Sequence, residues 1–292
     1  MDLLAGTVIG RWYVTLFGLT FLWRASRQLG WRRTGIYVAV ALVVGIAAEN
    51  GSVHLGIPYT RYGFNEALRD DELFAFDVPL MVPLSYTFMA YFAFAAGRLI
   101  ASGPFTTRAP RPWHELAVAW MLAVWAIWVL DPVSRLGHRF YLGELFAYDG
   151  PGFWFGLPLG SQVGFAITAG VLVLALHLLD RGAAQVPVAG LTRHPHLVAL
   201  ITYHAQVFHL AAVAFYLDAD TLAGAAVLMW VPAAVITAVH WSQLRPPTER
   251  QVAYELARSS RPGDRRVPGH RKGGGDDRRV ERSEGRAHRA RS

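Results

Sequence analysis

The chain contains seven apolar segments that approach or exceed the length needed to cross a lipid bilayer. A spanning helix requires about 20 consecutive, mostly apolar residues. The seven segments are residues 3–23, 34–49, 78–100, 114–130, 156–179, 197–217 and 221–241. Because a backbone inside a bilayer must satisfy its own hydrogen bonds, each segment is predicted to be a helix. The predicted fold class is therefore all-α, a polytopic membrane bundle of about seven transmembrane helices.

The composition agrees with residence in a membrane. Charged residues make up 17% of the chain, below the roughly 25% that is typical of soluble domains, and hydrophobic residues make up 53%. The first apolar segment has no basic stretch before it and no small-residue cleavage site, so we expect it to be retained as a span rather than removed as a signal peptide. The predicted location is the inner (plasma) membrane, with the lipid bilayer as a partner.

The distribution of arginine predicts the orientation, because basic residues are retained on the cytoplasmic side of a membrane. Arginines follow the first, third and fifth segments: Arg24, Arg27, Arg32, Arg33, Arg98, Arg108, Arg111, Arg181 and Arg193. Acidic residues dominate the alternate loops. The N-terminus is therefore predicted to lie outside and the C-terminus in the cytoplasm.

The chain is predicted to consist of a membrane domain, residues 1–244, and a tail, residues 245–292. The tail is rich in arginine and lacks apolar periodicity, which is typical of disorder. It carries much of the formal net charge of +7, so this charge indicates a solvated tail or contact with anionic lipid headgroups rather than nucleic acid. The chain has no cysteine, which excludes disulfides, thiolate metal sites and a cysteine nucleophile.

A carboxyl group, Glu49, stands at the end of the second apolar segment. Loss of hydration favours the neutral form of a carboxyl group, which can then act as a general acid. Two other interpretations remain open: a carboxylate exposed to water at a helix end, or one paired with Arg61. His54, five residues further on, is predicted either to hydrogen-bond the acid or polarise a water, or to be structural.

A second carboxyl group, Asp131, ends the fourth apolar segment, and the alternation of loops places it on the same side as Glu49. Two carboxyl groups in different environments can supply an acid and a base together. Alternatively, Asp131 and Pro132 only end the helix, with Asp131 bonding local backbone groups. The loops 49–77 and 131–155 are rich in aromatic residues, Gly and Pro, and we expect them to fold back and roof a pocket.

Three further groups of residues, one acidic, one of histidines and one of tryptophans, have side chains that can serve a function. The acidic cluster Asp70, Asp71 and Glu72 is predicted to belong to an external, charged loop. A metal site is not favoured among the histidines, because His204 and His209 lie about 140° apart on a helix and no carboxylate accompanies them. The tryptophans of the fourth segment form either an interfacial belt or the lining of a pocket for a polyene or a cation; they are Trp113, Trp120, Trp125 and Trp128.

Three stretches of the sequence resemble a known family in order and spacing: "ENGSVHLGIPYTRYGF", "DVPLMVPLSYTFMAY" and "LDPVSRLGHRFYLGELFAYDGPGFWFGLPLGSQVGF". They are similar to the membrane carotenoid hydratases, which include bisanhydrobacterioruberin hydratase and the carotenoid 1,2-hydratases. The resemblance covers about residues 34–180, and the last two segments match by hydropathy alone. It includes the glutamate at 49 and the Asp-Pro pair at 131. The chain departs from the family at Tyr86, where tryptophan is usual, and at Ser161 and Gln162, where asparagine is common.

This resemblance implies an enzyme that hydrates a terminal C=C bond of an acyclic carotenoid, lycopene-like or a C50 polyene, without a cofactor. An acid would protonate the alkene, and water would capture the tertiary cation. Glu49 is expected to be the acid and Asp131 the carboxylate that steadies the cation or deprotonates the water, with exchangeable roles, and His54 can hold the acid in place. The residues expected to bind the substrate are Tyr59, Arg61, Tyr62, Tyr86, Trp128 and Trp154.

Two other classes of function remain open at this point. The chain can be a non-catalytic membrane protein that binds a carotenoid or another isoprenoid within a complex of biosynthetic enzymes. It can also be a different enzyme that modifies a polyene lipid, such as an oxygenase or a prenyltransferase.

Overall fold

The structure of the chain, a computed structural model, describes residues 2–102, 112–140, 143–180 and 196–242. These residues form helices joined by loops that contain two small antiparallel strand pairs. In chain order the elements are α1 (Leu3–Ala5), a π-helical turn (Gly6–Gly10), α2 (Trp12–Leu29), α3 (Trp31–Leu55), β1 (Tyr62–Phe64), a 3-10 helix (Glu66–Asp70), β2 (Phe74–Ala75), β3 (Val78–Pro79), α4 (Met81–Ser102), α5 (Pro112–Ser134), a 3-10 helix (Gly137–Arg139), β4 (Phe146–Tyr148), α6 (Leu159–Asp180), α7 (Leu197–Tyr216) and α8 (Asp220–Ser242).

Six helices in the described part of the chain, α3 to α8, are long and apolar enough to cross a membrane. A seventh span results if the two bent parts before α3 are counted as one. The prediction of an all-α polytopic bundle is therefore confirmed. The orientation of the termini stays a prediction, and the tail predicted over residues 245–292 lies outside the described residues.

The first predicted span, residues 3–23, is not one straight helix. Leu3–Gly10 and Trp12–Leu29 meet at an angle of 77°. Arg11, at the junction, has a non-helical backbone with φ −107° and ψ 42°. Its side chain is buried and reaches a carboxylate in the loop between α3 and α4, Glu72. A charged group inside an apolar span is stabilised only by such a partner, and a break in the helix accompanies this contact.

The second and fourth spans are longer than their apolar runs predict. α3 continues to Leu55, so Glu49 lies inside the helix, and α5 continues to Ser134, so Asp131 also lies inside a helix. The loops predicted to begin at these two acids begin several residues later. The polar residues that follow each apolar run continue the helical hydrogen bonding, which hydropathy alone does not reveal.

Helix α4 is the centre of the bundle. Its residues from Ala90 to Ala96 are all buried, which is typical of a helix surrounded by other helices. It approaches α5 closely at Gly97, where a Cβ atom would stand 2.7 Å from the backbone of Ala119. Small residues at such a contact allow helices in a membrane to pack closely.

Helix α6 has one face in the bundle and one face directed outward. Large apolar side chains spaced three or four residues apart are exposed on it: Val163, Ile167, Val171, Leu174 and Leu178. This spacing places them on one side of the helix. An exposed apolar stripe of this kind is the surface expected to contact lipid.

A cluster of polar and charged side chains is buried at the end of the bundle where α2, α4 and α6 end and α5 begins. Arg98 forms an ion pair with Asp180, and its Nε lies 3.2 Å from Glu115 Oε1. Gln28 donates a hydrogen bond of 3.0 Å to Asp180, and Tyr91 donates one of 2.9 Å to Gln28. This cluster joins four helices.

We expect Arg98→Ala to destabilise the bundle. The substitution leaves the carboxylates of Glu115 and Asp180 buried without their cation, at a cost of about 3–5 kcal/mol. The measurement is thermal unfolding of the purified protein in detergent. The control is Arg32→Ala, which removes an exposed arginine at the start of α3 and should change the unfolding temperature little. Equal stability of the two variants would contradict a stabilising role for the cluster.

Candidate functional site

A cavity lies between the helices beneath the two long loops. The cavity has a volume of about 170 Å³, counted as the space that the centres of water molecules can occupy. Residues of α2, α4, α5, α6 and α7 contribute mostly apolar walls, and the lining includes two carboxyl groups, Glu49 and Asp131. The two acids selected from the sequence therefore meet in one chamber.

Glu49 is buried within α3, with 4% of the residue exposed. Its Oε1 atom lies 2.5 Å from the hydroxyl oxygen of Tyr86, on α4. Glu49 is thus not a carboxylate in water at a helix end. It is also not paired with Arg61, whose Nε lies 3.8 Å from Asp149 at the surface.

Asp131 is buried in the last turn of α5, with 9% of the residue exposed. Its Oδ2 atom is buried and receives no hydrogen bond from the residues that the structure describes. The carboxyl group lies near enough to Glu49 and to Arg135 to interact with both electrostatically. Asp131 therefore has an oxygen that is available to a ligand.

Pro132 does not end α5, contrary to one interpretation of the Asp-Pro pair. A proline inside a helix cannot donate to the carbonyl four residues earlier, which here belongs to Trp128. The indole Nε1 of Trp154 donates a hydrogen bond of 3.0 Å to that carbonyl. The helix therefore continues to Ser134, and the second long loop is attached to the helix backbone at this point.

A chain of hydroxyl groups extends from Glu49 into the protein. Tyr86 Oη lies 2.8 Å from Tyr59 Oη, and Tyr59 Oη lies 3.1 Å from Thr168 Oγ1. Thr168 Oγ1 lies in turn 3.0 Å from the carbonyl oxygen of Gly164. Burial raises the pKa of Tyr59, and a negative charge on Glu49 would raise it further, so the phenol remains protonated and can serve as a hydrogen-bond donor.

The position of Tyr59 depends on a glycine in α6. A Cβ atom at Gly164 would stand 2.6 Å from Tyr59 Cδ1 and 2.4 Å from the carbonyl oxygen of Pro58. The Tyr59 ring stacks on Phe165, with 4.2 Å between ring centroids, and its backbone N–H donates to Ser52 Oγ at 3.0 Å. The segment between α3 and β1, which contains Tyr59, therefore packs closely against α6.

The two long loops close over the cavity as a pair. β1 and β4 are antiparallel, with Tyr62 opposite Tyr148 and Phe64 opposite Phe146. All four rings pack together and line the cavity, as predicted for a roof. Burial, and next the charge of Asp131, raise the pKa of Tyr148, which keeps this phenol neutral above the acid.

Five of the residues predicted for the site, His54, Tyr59, Arg61, Trp128 and Trp154, lie outside the cavity lining. His54 is more than half exposed and lies 2.9 Å from Asp77, not from Glu49. Arg61 is at the surface. Trp128 and Trp154 pack on each other behind the cavity, with 5.7 Å between ring centroids. Tyr62 and Tyr86 do line the cavity, and Tyr59 contacts it through Tyr86.

The histidines of α7 have separate surroundings. His204 Nδ1 accepts a hydrogen bond of 2.9 Å from Trp230, and its Nε2 lies 3.0 Å from Thr237 Oγ1. His209 lines the cavity beside Gln206. Among the described residues, no three acidic or histidine side chains are grouped as metal ligands, and His194 lies outside the described part.

The buried ion pair between Arg11 and Glu72 was not predicted from the sequence. Arg11 lines the cavity, its Nη2 lies 2.7 Å from Glu72 Oε1, and both residues are buried. Asp70 and Asp71 of the acidic cluster are exposed, whereas Glu72 is buried, because the loop folds inward to meet the arginine. The available signal was Arg11 itself, the one charged residue in the first apolar segment.

Together these features allow proton transfer in an apolar chamber. One carboxyl group contacts a chain of hydroxyl groups, and the other has a buried oxygen that accepts no hydrogen bond from the described residues. Pairs of acids in different environments divide the roles of proton donor and proton acceptor. The surrounding aromatic faces are suited to an apolar ligand and to a transient positive charge.

Comparison with known proteins gives one match. The model of a protein family described as carotenoid biosynthesis protein matches residues 8–236. No curated protein and no solved structure matches.

We expect Gly164→Ala to disturb the site. The new methyl group would overlap Tyr59 and Pro58, and overpacking of this kind costs about 1–3 kcal/mol. The measurement is thermal unfolding in detergent. Gly170→Ala in the same helix is the control, because its Cβ would meet Trp120 at 3.7 Å, an ordinary contact. If both variants unfold at the same temperature, the close packing of Tyr59 against Gly164 does not affect the stability of the protein.

Proposed function

Because the chain belongs to the carotenoid biosynthesis protein family, we propose that it performs one chemical step of that biosynthesis, the addition of water to a terminal C=C bond of an acyclic carotenoid. The observation that carries the proposal is the presence of Glu49 and Asp131 in one apolar cavity. Hydration of an alkene needs an acid at one moment and a base at the next. The two carboxyl groups supply both.

The proposed first step is protonation of the alkene by Glu49. The proton is added to the less substituted alkene carbon. The π electrons of the double bond form the new C–H bond, which leaves a tertiary carbocation on the other carbon. A simple alkene is a weak base, so the acid must be held against it without competing water. The burial of Glu49 meets this requirement.

Counting hydrogens along the hydroxyl chain supports a protonated Glu49 in the resting enzyme. Four oxygen–oxygen contacts connect Glu49, Tyr86, Tyr59, Thr168 and the Gly164 carbonyl, but the three hydroxyl groups supply only three hydrogens. A proton on Glu49 provides the fourth. After Glu49 gives up this proton, Tyr86 can turn its hydrogen to the carboxylate, and the chain reverses its direction.

The proposed second step is capture of the cation by water. A lone pair of water forms the new C–O bond, and Asp131 accepts the proton that the bound water releases. The sum of both steps is the alkene plus one water, with no oxidation or reduction. The proton then returns from Asp131 to Glu49, so the pair again holds one proton.

The cavity walls suit the end of a polyene. The aromatic rings of Tyr62, Tyr148 and Phe165 line the chamber, and aromatic rings can attract a carbocation through their π electrons. A lycopene-like chain or a C50 acyclic polyene provides the required terminal alkene and would reach the site from the bilayer. The step would take place in the inner (plasma) membrane beside other enzymes of the pathway, and it uses only side chains of this protein and water.

We expect Glu49→Gln and Asp131→Asn to abolish hydration while leaving the fold intact. Each substitution keeps the shape of the side chain and removes its proton transfer, which contributes on the order of 10²- to 10⁴-fold in rate. The measurement is expression in a lycopene-producing host, with mass analysis of the extracted carotenoids for the gain of one water.

The matched controls are Glu144→Gln and Asp149→Asn, which alter exposed acids of the same loop region and should leave the product yield unchanged. Retention of the product by the two site variants would contradict the proposed mechanism. Absence of product from the unchanged protein, with polyene still bound, would favour a carotenoid-binding protein instead.

We expect Tyr86→Phe to slow hydration by about 10- to 100-fold, because a hydrogen bond to a charged group is worth about 1.5–3 kcal/mol. The variant keeps the aromatic ring and loses the hydroxyl group that donates a hydrogen bond to the Glu49 carboxylate after proton transfer. Tyr37→Phe is the control, since the Tyr37 hydroxyl is fully buried and has no hydrogen-bond partner among the described residues. Equal rates for the two variants, measured on purified protein in vesicles, would exclude Tyr86 from the reaction.

A further inference from the structure

Several buried polar atoms near Asp131 have no hydrogen-bond partner among the described residues. They are Trp128 Nε1, Asp131 Oδ2, Arg135 Nη1, Gln162 Oε1 and Gln162 Nε2. Trp128 and Asp131 are three residues apart on one face of α5, and Arg135, the residue after the end of α5, donates its backbone N–H to the carbonyl of Asp131 at 3.1 Å. Gln162 is only 3% exposed and belongs to the first turn of α6.

The face of α6 that carries Gln162 is directed into the bundle. Phe165, Ala169 and Leu172 follow it at intervals of three and four residues, and all three line the cavity. Gln162 therefore lies one turn beyond the cavity lining, at the end where the long loops close. This is also the end of α5 that carries Asp131.

Contacts between α5, α6 and the second loop bring these residues to the same region. Trp120 donates to the carbonyl of Ala166 at 2.7 Å, so the antiparallel helices are adjacent. Further along, the Arg135 guanidinium lies over the Tyr148 ring, 5.3 Å from its centroid, and Tyr148 hydrogen-bonds Ser161. We call this region, defined by Trp128, Asp131, Arg135 and Gln162, the α5–α6 polar patch.

The unpaired hydrogen-bond donors and acceptors of the patch indicate what kind of ligand it binds. An unpaired buried polar group costs about 1–3 kcal/mol, and proteins satisfy such groups with bound water, which makes about three hydrogen bonds. The patch combines N–H donors from Trp128, Arg135 and Gln162 with acceptor oxygens from Asp131 and Gln162. A water molecule donates and accepts, so it can satisfy both kinds at once.

We infer that the α5–α6 polar patch is a water-binding site and that it supplies the nucleophile of the reaction. This inference rests on the proposed hydration. Asp131 belongs both to the cavity lining and to the patch, so it can receive a proton from a water that approaches the cation from the α5–α6 side. Glu49, which delivers its proton, belongs to a different helix, α3. Water then reaches the cation without first surrounding the acid.

The inference predicts a specific change in the fate of the carbocation. When no water captures it, the cation loses a proton to the Glu49 carboxylate, and the alkene is regenerated. In heavy water, Glu49 carries deuterium, so a regenerated alkene can retain deuterium on the carbon that was protonated. Deuterium in the recovered polyene therefore reports protonation, and the hydrated product reports capture.

The test compares Gln162→Leu with Gln162→Asn in purified protein, in vesicles supplied with an acyclic polyene in heavy water. Leucine has a similar size and no polar atoms, whereas asparagine keeps the amide. We expect Gln162→Leu to raise the ratio of deuterated polyene to hydrated product by about 10-fold or more, the effect of losing one polar partner. Gln162→Asn should stay near the unchanged protein, and Trp128→Phe should change the ratio in the same direction as Gln162→Leu.

Each outcome has a distinct meaning. An unchanged ratio in folded Gln162→Leu and Trp128→Phe overturns the water site while hydration itself stands. An equal loss of deuterium exchange and hydration also overturns it, because the patch would then act on protonation. Absence of hydration in the unchanged protein refutes the proposed function instead. Should Gln162→Leu fail to fold in detergent, the ratio in Trp128→Phe decides.

Discussion

Two carboxyl groups buried in one apolar cavity form the constraint around which the site is organised. Moving an ion out of water costs several kcal/mol, and two like charges in the same chamber also repel each other. In the proposed resting state a single proton serves both Glu49 and Asp131, which leaves one negative charge near the Arg135 guanidinium. The hydroxyl chain from Tyr86 to Thr168 can form a hydrogen bond with Glu49 whether its carboxyl group is protonated or ionised. The cavity can therefore hold an acid ready for transfer without a second buried anion.

The fold supplies this arrangement by extending two helices past their apolar runs. α3 carries Glu49 below the loops, and α5 carries Asp131 through a proline whose freed carbonyl binds Trp154. The paired strands β1 and β4 contribute aromatic rings to the cavity that both acids line. At the opposite end of the bundle, the cluster around Arg98 joins four helices. Asp131 thus belongs to a helix, α5, that is held at one end by the Arg98 cluster and at the other by Trp154.

Hydropathy was sufficient to predict the bundle, because the length of an apolar run is set by the bilayer. The boundary position of Glu49 and Asp131 was enough to select both acids. His54 and Arg61 were chosen because they follow Glu49 closely, yet five residues correspond to about 140° around a helix, and the structure directs His54 to Asp77. The chain from Glu49 to Thr168 joins residues far apart in sequence, so no local pattern contains it. The burial of Glu72 likewise depends on a residue far away in the sequence, Arg11.

The most direct measurement is the source of the oxygen atom in the product. Purified protein in vesicles would be given an acyclic polyene in heavy-oxygen water, without molecular oxygen, and the product would be analysed by mass spectrometry. The proposed mechanism predicts one labelled hydroxyl group for each hydrated end, because water is the only nucleophile that it uses. A product that forms only when molecular oxygen is supplied, or that carries unlabelled oxygen, would contradict it.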